Sequence, residues 1–226
     1  MKLTYYGHSC FLLETGGKKL LFDPFIRQNA LAEGISIDEI EVDYILISHG
    51  HQDHTDDLLY LAKKTNAIVI CSWEIMLWLE KQGVHHHHAM NVGGKWNFDF
   101  GTVKMTFAAH SSSLPDGTYA GTAAGFIIKS ASKTIYYSGD TGLNQEMKLI
   151  GELNQIDWSI LPIGDNFTMD ANDAAIAADF LRCEKVIGMH FDTFQPIKID
   201  HQLAKQAFTS KNKELFLLNI SESIQL

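Results

Sequence analysis

Proline is scarce in this chain, with 4 residues in 226, and cysteine is scarcer still at 3. An odd number of cysteines with no CxxC pair does not make a disulfide framework, so a reducing cytosol is the expected setting. No apolar run reaches the roughly 18 residues that a membrane span needs. The opening segment, Met1 to His8, lacks the apolar core and cleavage site of a secretory signal. Positive charge is also in short supply: 18 Lys and Arg stand against 27 Asp and Glu, a formal charge of −9. With no Lys/Arg run, that balance argues against wrapping nucleic-acid phosphates. There is no Ser/Gly-rich or Pro-rich tract and no charge block to mark a linker, so residues 1–226 are expected to form a single domain. Against these absences stand 11 histidines.

The chain carries an internal echo. Cys10 to Phe22 reads as an apolar strand, a small polar turn at Thr15-Gly16-Gly17, and a second apolar strand, which is a hairpin signature. Gly125 to Tyr137 repeats it. Val42 to Ile47 is echoed in turn by Ile156 to Leu161, in the same order and at nearly the same offset. Each member of the second pair is followed by a polar loop and a helical pattern, opened by Thr55-Asp56-Asp57 in one half and Asp170-Ala171-Asn172-Asp173 in the other. Strands at Ala67–Ile70 and Lys185–Gly188 follow, with further helices expected at Glu74–Lys81, Leu143–Glu152 and Asp200–Ser210. Hairpins mixed with strand-helix-strand units imply two sheets packed face to face with helices outside. The expected fold class is α/β, a four-layer αββα sandwich with pseudo-twofold halves.

The chemistry concentrates where the apolar strand Ile45-Leu46-Ile47 ends, at Ser48-His49-Gly50-His51-Gln52-Asp53-His54. Four potential ligands fall within six residues, and imidazole with carboxylate suits borderline divalent ions: zinc, manganese, iron or nickel. His49 and His51 could face one ion, while Asp53 and His54, beyond the turn, face another. Gly50 leaves no side chain between them.

H-x-H-x-D-H after an apolar strand resembles the metallo-β-lactamase superfamily, whose αββα sandwich of two similar halves agrees with the repeat read above. The resemblance implies three further ligands in order, each at a strand end. Phe107-Ala108-Ala109-His110 supplies a His, Ser138-Gly139-Asp140-Thr141-Gly142 a bridging Asp, and Val186-Ile187-Gly188-Met189-His190 a second His. It implies one ion on His49, His51 and His110, a second on Asp53, His54 and His190, and Asp140 between them. Two cations about 3.5–4 Å apart would lower the pKa of a shared water and polarise an ester, lactone or phosphoryl oxygen. The attacking group would be a metal-bound hydroxide, with no Ser or Cys nucleophile, and Asp53 could act in water activation as well as ligation. Tyr6-Gly7-His8-Ser9-Cys10-Phe11 and Leu21-Phe22-Asp23-Pro24-Phe25 resemble the branch holding the ascorbate-6-phosphate lactonases and many further metal-dependent hydrolases. Leu161-Pro162-Ile163-Gly164-Asp165-Asn166-Phe167-Thr168 is similar to the latter in particular. The length leaves no room for a nucleic-acid-clamping domain or a redox appendage, and relatives often assemble, so a homo-oligomer is an expectation from resemblance.

Other residues carry weaker signals. His8 follows a strand with a counterpart in the other half, placing it as a proton donor or substrate contact at the metal mouth. Asn166 and Thr168 lie in the loop equivalent to His49–His54, and so are candidates for substrate contact; Asp192, Thr193 and Phe194 could line the same pocket. Asp165 could be a helix cap. Cys10, Cys71 and Cys183 read as buried inert thiols. His85-His86-His87-His88 reads as a solvated loop able to scavenge metal, and Trp73 and Trp78 as core or subunit contacts. The expected function is hydrolysis of a small phosphorylated, lactone or ester substrate. The competing readings are a phosphodiesterase acting on cyclic nucleotides or short oligonucleotides and a non-catalytic metal-bound sensor or scaffold.

Overall fold

A computed structural model describes residues 1–226. The first hairpin and its successors build one sheet from β1 (Lys2–Gly7), β2 (Cys10–Thr15), β3 (Lys18–Phe22), β4 (Tyr44–Leu46), β5 (Ile68–Ser72) and β6 (His87–Met90). The second sheet comprises β7 (Lys95–Phe98), β8 (Gly101–Phe107), β9 (Ala124–Ser130), β10 (Lys133–Tyr137), β11 (Trp158–Pro162), β12 (Lys185–Met189) and β13 (Glu214–Phe216). A last strand, β14 (Ser223–Gln225), returns to the first sheet and pairs antiparallel with β1. Both seven-stranded sheets therefore have one plan. Four strands pair antiparallel, β14-β1-β2-β3 or β7-β8-β9-β10. Three more are added in parallel, β4-β5-β6 or β11-β12-β13. The echo in the sequence is this repeated plan.

Strand alternation sorts the apolar residues into layers. Phe11, Leu13, Leu20, Phe22 and Leu46 of the first sheet meet Phe126, Ile128, Ile135, Tyr137 and Ile160 of the second in a central core. The alternate residues Leu12, Leu21, Ile45 and Val69 face outward against α2 (Leu58–Thr65) and α3 (Trp73–Lys81). Ile127, Tyr136, Leu161 and Val186 do the same against α4 (Glu146–Leu153), α5 (Ala171–Phe180) and α6 (His201–Thr209). The central strands are buried on both faces, which is why they read as continuous apolar runs. The four-layer αββα sandwich stands as expected.

Several local expectations are corrected. The helix expected to open at Thr55 begins earlier, as the single-turn α1 (Gln52–Thr55) with His51 at its N-cap, and α2 restarts at Leu58. The break follows Asp57, whose carboxylate is drawn away to the backbone N–H groups of Ile26 and Arg27 and to the Arg27 side chain. The α4 helix begins at Glu146, where Asn144 Oδ1 accepts from the Glu146 N–H at 3.0 Å. The cap of α5 is Asp170, accepting from the Asp173 N–H at 2.7 Å, and Asp165 instead occupies a left-handed turn with φ +62°. His87 and His88 open strand β6 and are not a free loop. Of the two alternatives for the tryptophans, core or subunit contact, Trp73 at 55% exposed on α3 does not fill the first, while half-buried Trp78 packs against the core and donates to Asp116. All three cysteines are buried and unpaired, and burial raises each thiol pKa. No helix is long and apolar enough to cross a membrane.

Candidate metal centre

The strand ends converge. His8 follows β1, Asp23 follows β3, His49 lies three residues past β4, His110 three past β8, Asp140 three past β10, and His190 directly follows β12. Because β1 and β8 are equivalent strands, His8 and His110 occupy pseudo-symmetric places. Two glycines let the loops close. Gly50 lies where a Cβ would come within 2.5 Å of the Ala120 Cβ, so the segment carrying Ser113 and Ala120 can cross the His49–His51 loop. Gly139, at φ +60°, lies where a Cβ would meet the Ala124 carbonyl at 2.4 Å, and so permits the turn that aims Asp140 inward.

Two groups of donor atoms result. His49, His51 and His110 form one, with His49 Nε2 and His51 Nδ1 only 3.0 Å apart and both rings 5.0 Å from the His110 ring. Asp53, His54, His190 and His8 form the other. Asp140 Oδ2 lies between them, 2.9 Å from His190 Nε2, 3.3 Å from His54 Nε2 and 3.7 Å from His110 Nε2. All seven residues expected to act as ligands are thus brought to one place.

The donors fit divalent cations. His54 Nε2, Asp140 Oδ1 and His190 Nδ1 are buried with no hydrogen-bond partner, a condition costing about 1–3 kcal/mol per group when nothing satisfies it. For His54 Nε2 and Asp140, which face the middle of the cluster, a shared cation is the natural partner. Protonation follows the same pattern. Burial would raise the carboxyl of Asp140, but His190 and His54 outweigh it and hold it well below the usual range. Burial would likewise raise Asp53, and His54, His190 and His8 hold it far down. Burial alone would neutralise His54 and His190; the carboxylates reverse this, raising His54 well above its ordinary value and His190 to about 9. Burial lowers His49, His51 and His110, leaving that trio neutral and ready to ligate.

A family model described as a beta-lactamase superfamily domain matches residues 2–190. The chain belongs to the metallo-β-lactamase superfamily. It is 52% identical, over the whole of both sequences, to a UPF0173 metal-dependent hydrolase of Methylacidiphilum infernorum. It is similar in structure to Igni18, a metallo hydrolase of the archaeon Ignicoccus hospitalis, with TM-score 0.89 and 34% identity over 99% of this chain and 97% of that one. An isothiocyanate hydrolase from Delia radicum gut bacteria matches at TM-score 0.80 and 18% identity over 100% and 99%, a likeness of fold alone.

Around this metallo-β-lactamase-type centre lies a layer that the residue pattern did not reveal. Asp23, fully buried, accepts from the Ser48 N–H (2.8 Å), the Ser48 hydroxyl (2.6 Å), the Tyr137 hydroxyl (2.6 Å) and His54 Nδ1 (2.9 Å). Ser48 Oγ in turn lies 3.0 Å from His49 Nδ1. One carboxylate thus orients a histidine of each group and fixes which ring nitrogen each turns inward. The available signal was Asp23-Pro24 directly after the apolar Leu20-Leu21-Phe22, an acid where the chain leaves a buried strand. The His110 and Asp140 loops are tied by Ala109 N–H to Thr141 Oγ1 at 2.9 Å and Gly142 N–H to the Ala109 carbonyl at 3.1 Å.

His8 reaches the centre by a different route from the expected one. Its side chain is fully buried, Nε2 pairs with Asp53 Oδ2 at 3.1 Å, and Nδ1 pairs with Thr193 Oγ1 at 3.0 Å. Burial holds its pKa near 4, so the ring is neutral, donating from Nε2 to Asp53 and accepting at Nδ1 from Thr193. Both nitrogens are engaged, and neither is presented to a substrate. Phe194 packs against the His8 ring at 5.5 Å, and Asp192 pairs with His201 at 2.6 Å. Asn166 is exposed and Thr168 half-buried in a loop anchored by Met169 N–H to the Thr141 carbonyl at 3.1 Å, next in sequence to Asp140. Neither side chain bonds to the donor groups.

Proposed function

We propose that this protein is a metal-dependent hydrolase with two divalent ions, one held by His49, His51 and His110, the other by Asp53, His54 and His190, and Asp140 shared between them. The observation that carries this reading is the position of Asp140 Oδ2 within 3.7 Å of histidines from both groups. The names of the full-length relatives support hydrolysis, and imidazole with carboxylate suits zinc, manganese, iron or nickel. Bound there, such ions supply Lewis acidity and a water of lowered pKa. The chain's own work is positioning. Asp23 and Ser48 fix the His54 and His49 rings, His8 holds one oxygen of Asp53, and the Thr141 loop fixes His110 against Asp140. Asp53, with 29% of its side chain exposed, is the carboxylate of the donor set open to solvent and can orient an incoming water by accepting a hydrogen bond from it.

The substrate class is a small ester, lactone or phosphorylated molecule, with Asn166 and Thr168 at the rim. Residues 1–226 work as one domain in a reducing cytosol, consistent with three unpaired cysteines, and a homo-oligomer fits the exposed Trp73. The acidic charge disfavours nucleic acid.

The test is turnover of a panel of esters, lactones, thioesters and phosphodiesters by metal-loaded wild type and Asp140→Ala. Asp140→Ala should fold, lose metal occupancy and lose turnover by at least ~100-fold. Full turnover in the folded variant overturns the mechanism, and tight binding without turnover across the panel favours a sensor.

A further inference from the structure

The histidine tract at 85–88 is sorted by the backbone into two pairs. His86 Nδ1 meets the Asn66 carbonyl at 2.6 Å, and the His88 ring packs against Trp96 and Phe98 at 4.9 and 5.0 Å. His85 and His87, two apart in an extended segment, share the other side. Both reach Glu80 in the last turns of α3: His85 Nδ1 lies 2.6 Å from Oε2 and His87 Nε2 2.5 Å from Oε1. This cluster joins the end of α3 to the start of β6, the edge strand of the first sheet, and is separate from the buried donors; Glu80 stands between the two imidazoles, whose nitrogens would have to draw together on an ion.

We propose that Glu80, His85 and His87 form a separate surface site for a single divalent cation of the zinc class. Two imidazole nitrogens and a carboxylate are three protein ligands of the type zinc takes, with water completing the shell. In the metal-free arrangement each carboxylate oxygen accepts one imidazole N–H. On binding, the nitrogen of each ring that faces the carboxylate presents its lone pair to the ion, its proton passing to the other ring nitrogen or to solvent, and the carboxylate turns onto the ion. The larger movements fall to side chains with room to make them, His85 at 69% and Glu80 at 42% exposed, while His87, at 17%, already points Nε2 at Glu80. The carboxylate is ready for the exchange, because its bonds to His87 and His85 hold it ionised below the ordinary range. The ion would clamp the end of α3 to the sheet edge and claim only two of the four histidines, which distinguishes this site from general capture by a histidine-rich stretch.

The experiment is calorimetric titration of zinc into full-length protein first dialysed to constant metal content, so that the buried donors are already at equilibrium. Wild type should take up one further equivalent. Glu80→Gln, His85→Ala and His87→Ala should each weaken that step by about tenfold or more, while the double variant His86→Ala/His88→Ala should stay within about twofold of wild type. No further equivalent in wild type overturns the proposal. So does a loss in His86→Ala/His88→Ala as large as that in Glu80→Gln, since binding would then belong to the tract at large.

Discussion

The two donor groups differ in the protons they hold before metal arrives, and that difference makes their loading respond differently to pH. His190, raised to about 9 by Asp140 and Asp53 despite its burial, is protonated at neutral pH and must lose its proton before ligating. For a pKa near 9, apparent affinity for that ion rises by about 80-fold, about 2.6 kcal/mol, between pH 6.5 and 8.5. His54, raised in the same direction, adds to the slope. Asp53 and Asp140 are ionised throughout this range and add none. His49, His51 and His110 are lowered below 6.5, so each changes the first ion's affinity by less than about twofold over the same window. Metal-buffered titrations should therefore resolve one pH-insensitive equivalent and one that strengthens with pH. Calorimetry in two buffers of different ionisation enthalpy should count about two protons released by the second ion and none by the first at pH 7.5. Equal pH slopes for both steps, or a second step releasing no proton, would refute the assignment of charge.

The metal-free fold should also lose stability on the alkaline side. A folded-state pKa raised to about 9 stabilises fully below the unfolded value of 6.5, and that contribution, about 3 kcal/mol at most, disappears as pH rises through 9. Metal-free melting temperature should fall from pH 7 to pH 10, and a flat profile contradicts the pairing. Asp23→Asn should lower metal affinity by about 10–100-fold with the ligands untouched; unchanged occupancy by elemental analysis would remove Asp23 from the support layer. Gly139→Ala forces a Cβ to 2.4 Å from the Ala124 carbonyl at φ +60°. It should destabilise by more than about 1 kcal/mol in denaturant unfolding and reduce metal content, and a neutral result would show that the turn can shift. All three thiols should resist a chromogenic disulfide reagent until the chain unfolds, and rapid reaction of even one in native buffer would contradict its burial.

The first four candidate ligands were legible because their information is local. His49, His51, Asp53 and His54 declare themselves by type and spacing after an apolar run, whereas His110, Asp140 and His190 were picked out by the family resemblance, which called for a His, an Asp and a His in that order at strand ends. Asp23 was not, because its role is made across the fold: it lies 31 residues from His54 and far from Tyr137, and only pairing of β3 with β4 brings Ser48 to it. His8 was placed near the centre, but its contacts with Asp53 and Thr193 were not legible for a similar reason, since they come from 45 and 185 residues away. The repeated sheet plan showed in its buried central strands, whereas β7 and β14 are short and largely exposed, so that their brief alternation, Lys95-Trp96-Asn97-Phe98 and Ser223-Ile224-Gln225, is too short to stand out. The misplaced start of α2 depended on Asp57 turning its carboxylate to Ile26 and Arg27, a contact that helix-start preferences do not contain.

The return of β14 to β1 has a consequence for how the molecule is made. The first sheet takes its outermost strand from residues 223–225, while β7 and β8, emerging from the ribosome much earlier, belong to the second. The β1 strand, whose end positions His8, therefore waits with one row of backbone N–H and C=O groups unpaired until almost all of the other half has been synthesised. During that interval it is an open template for a neighbouring nascent chain. With β2 paired on one side and β14 arriving late on the other, the order of synthesis sets how long β1 is exposed to mispairing, and the pairing of residues 223–225 ends that exposure.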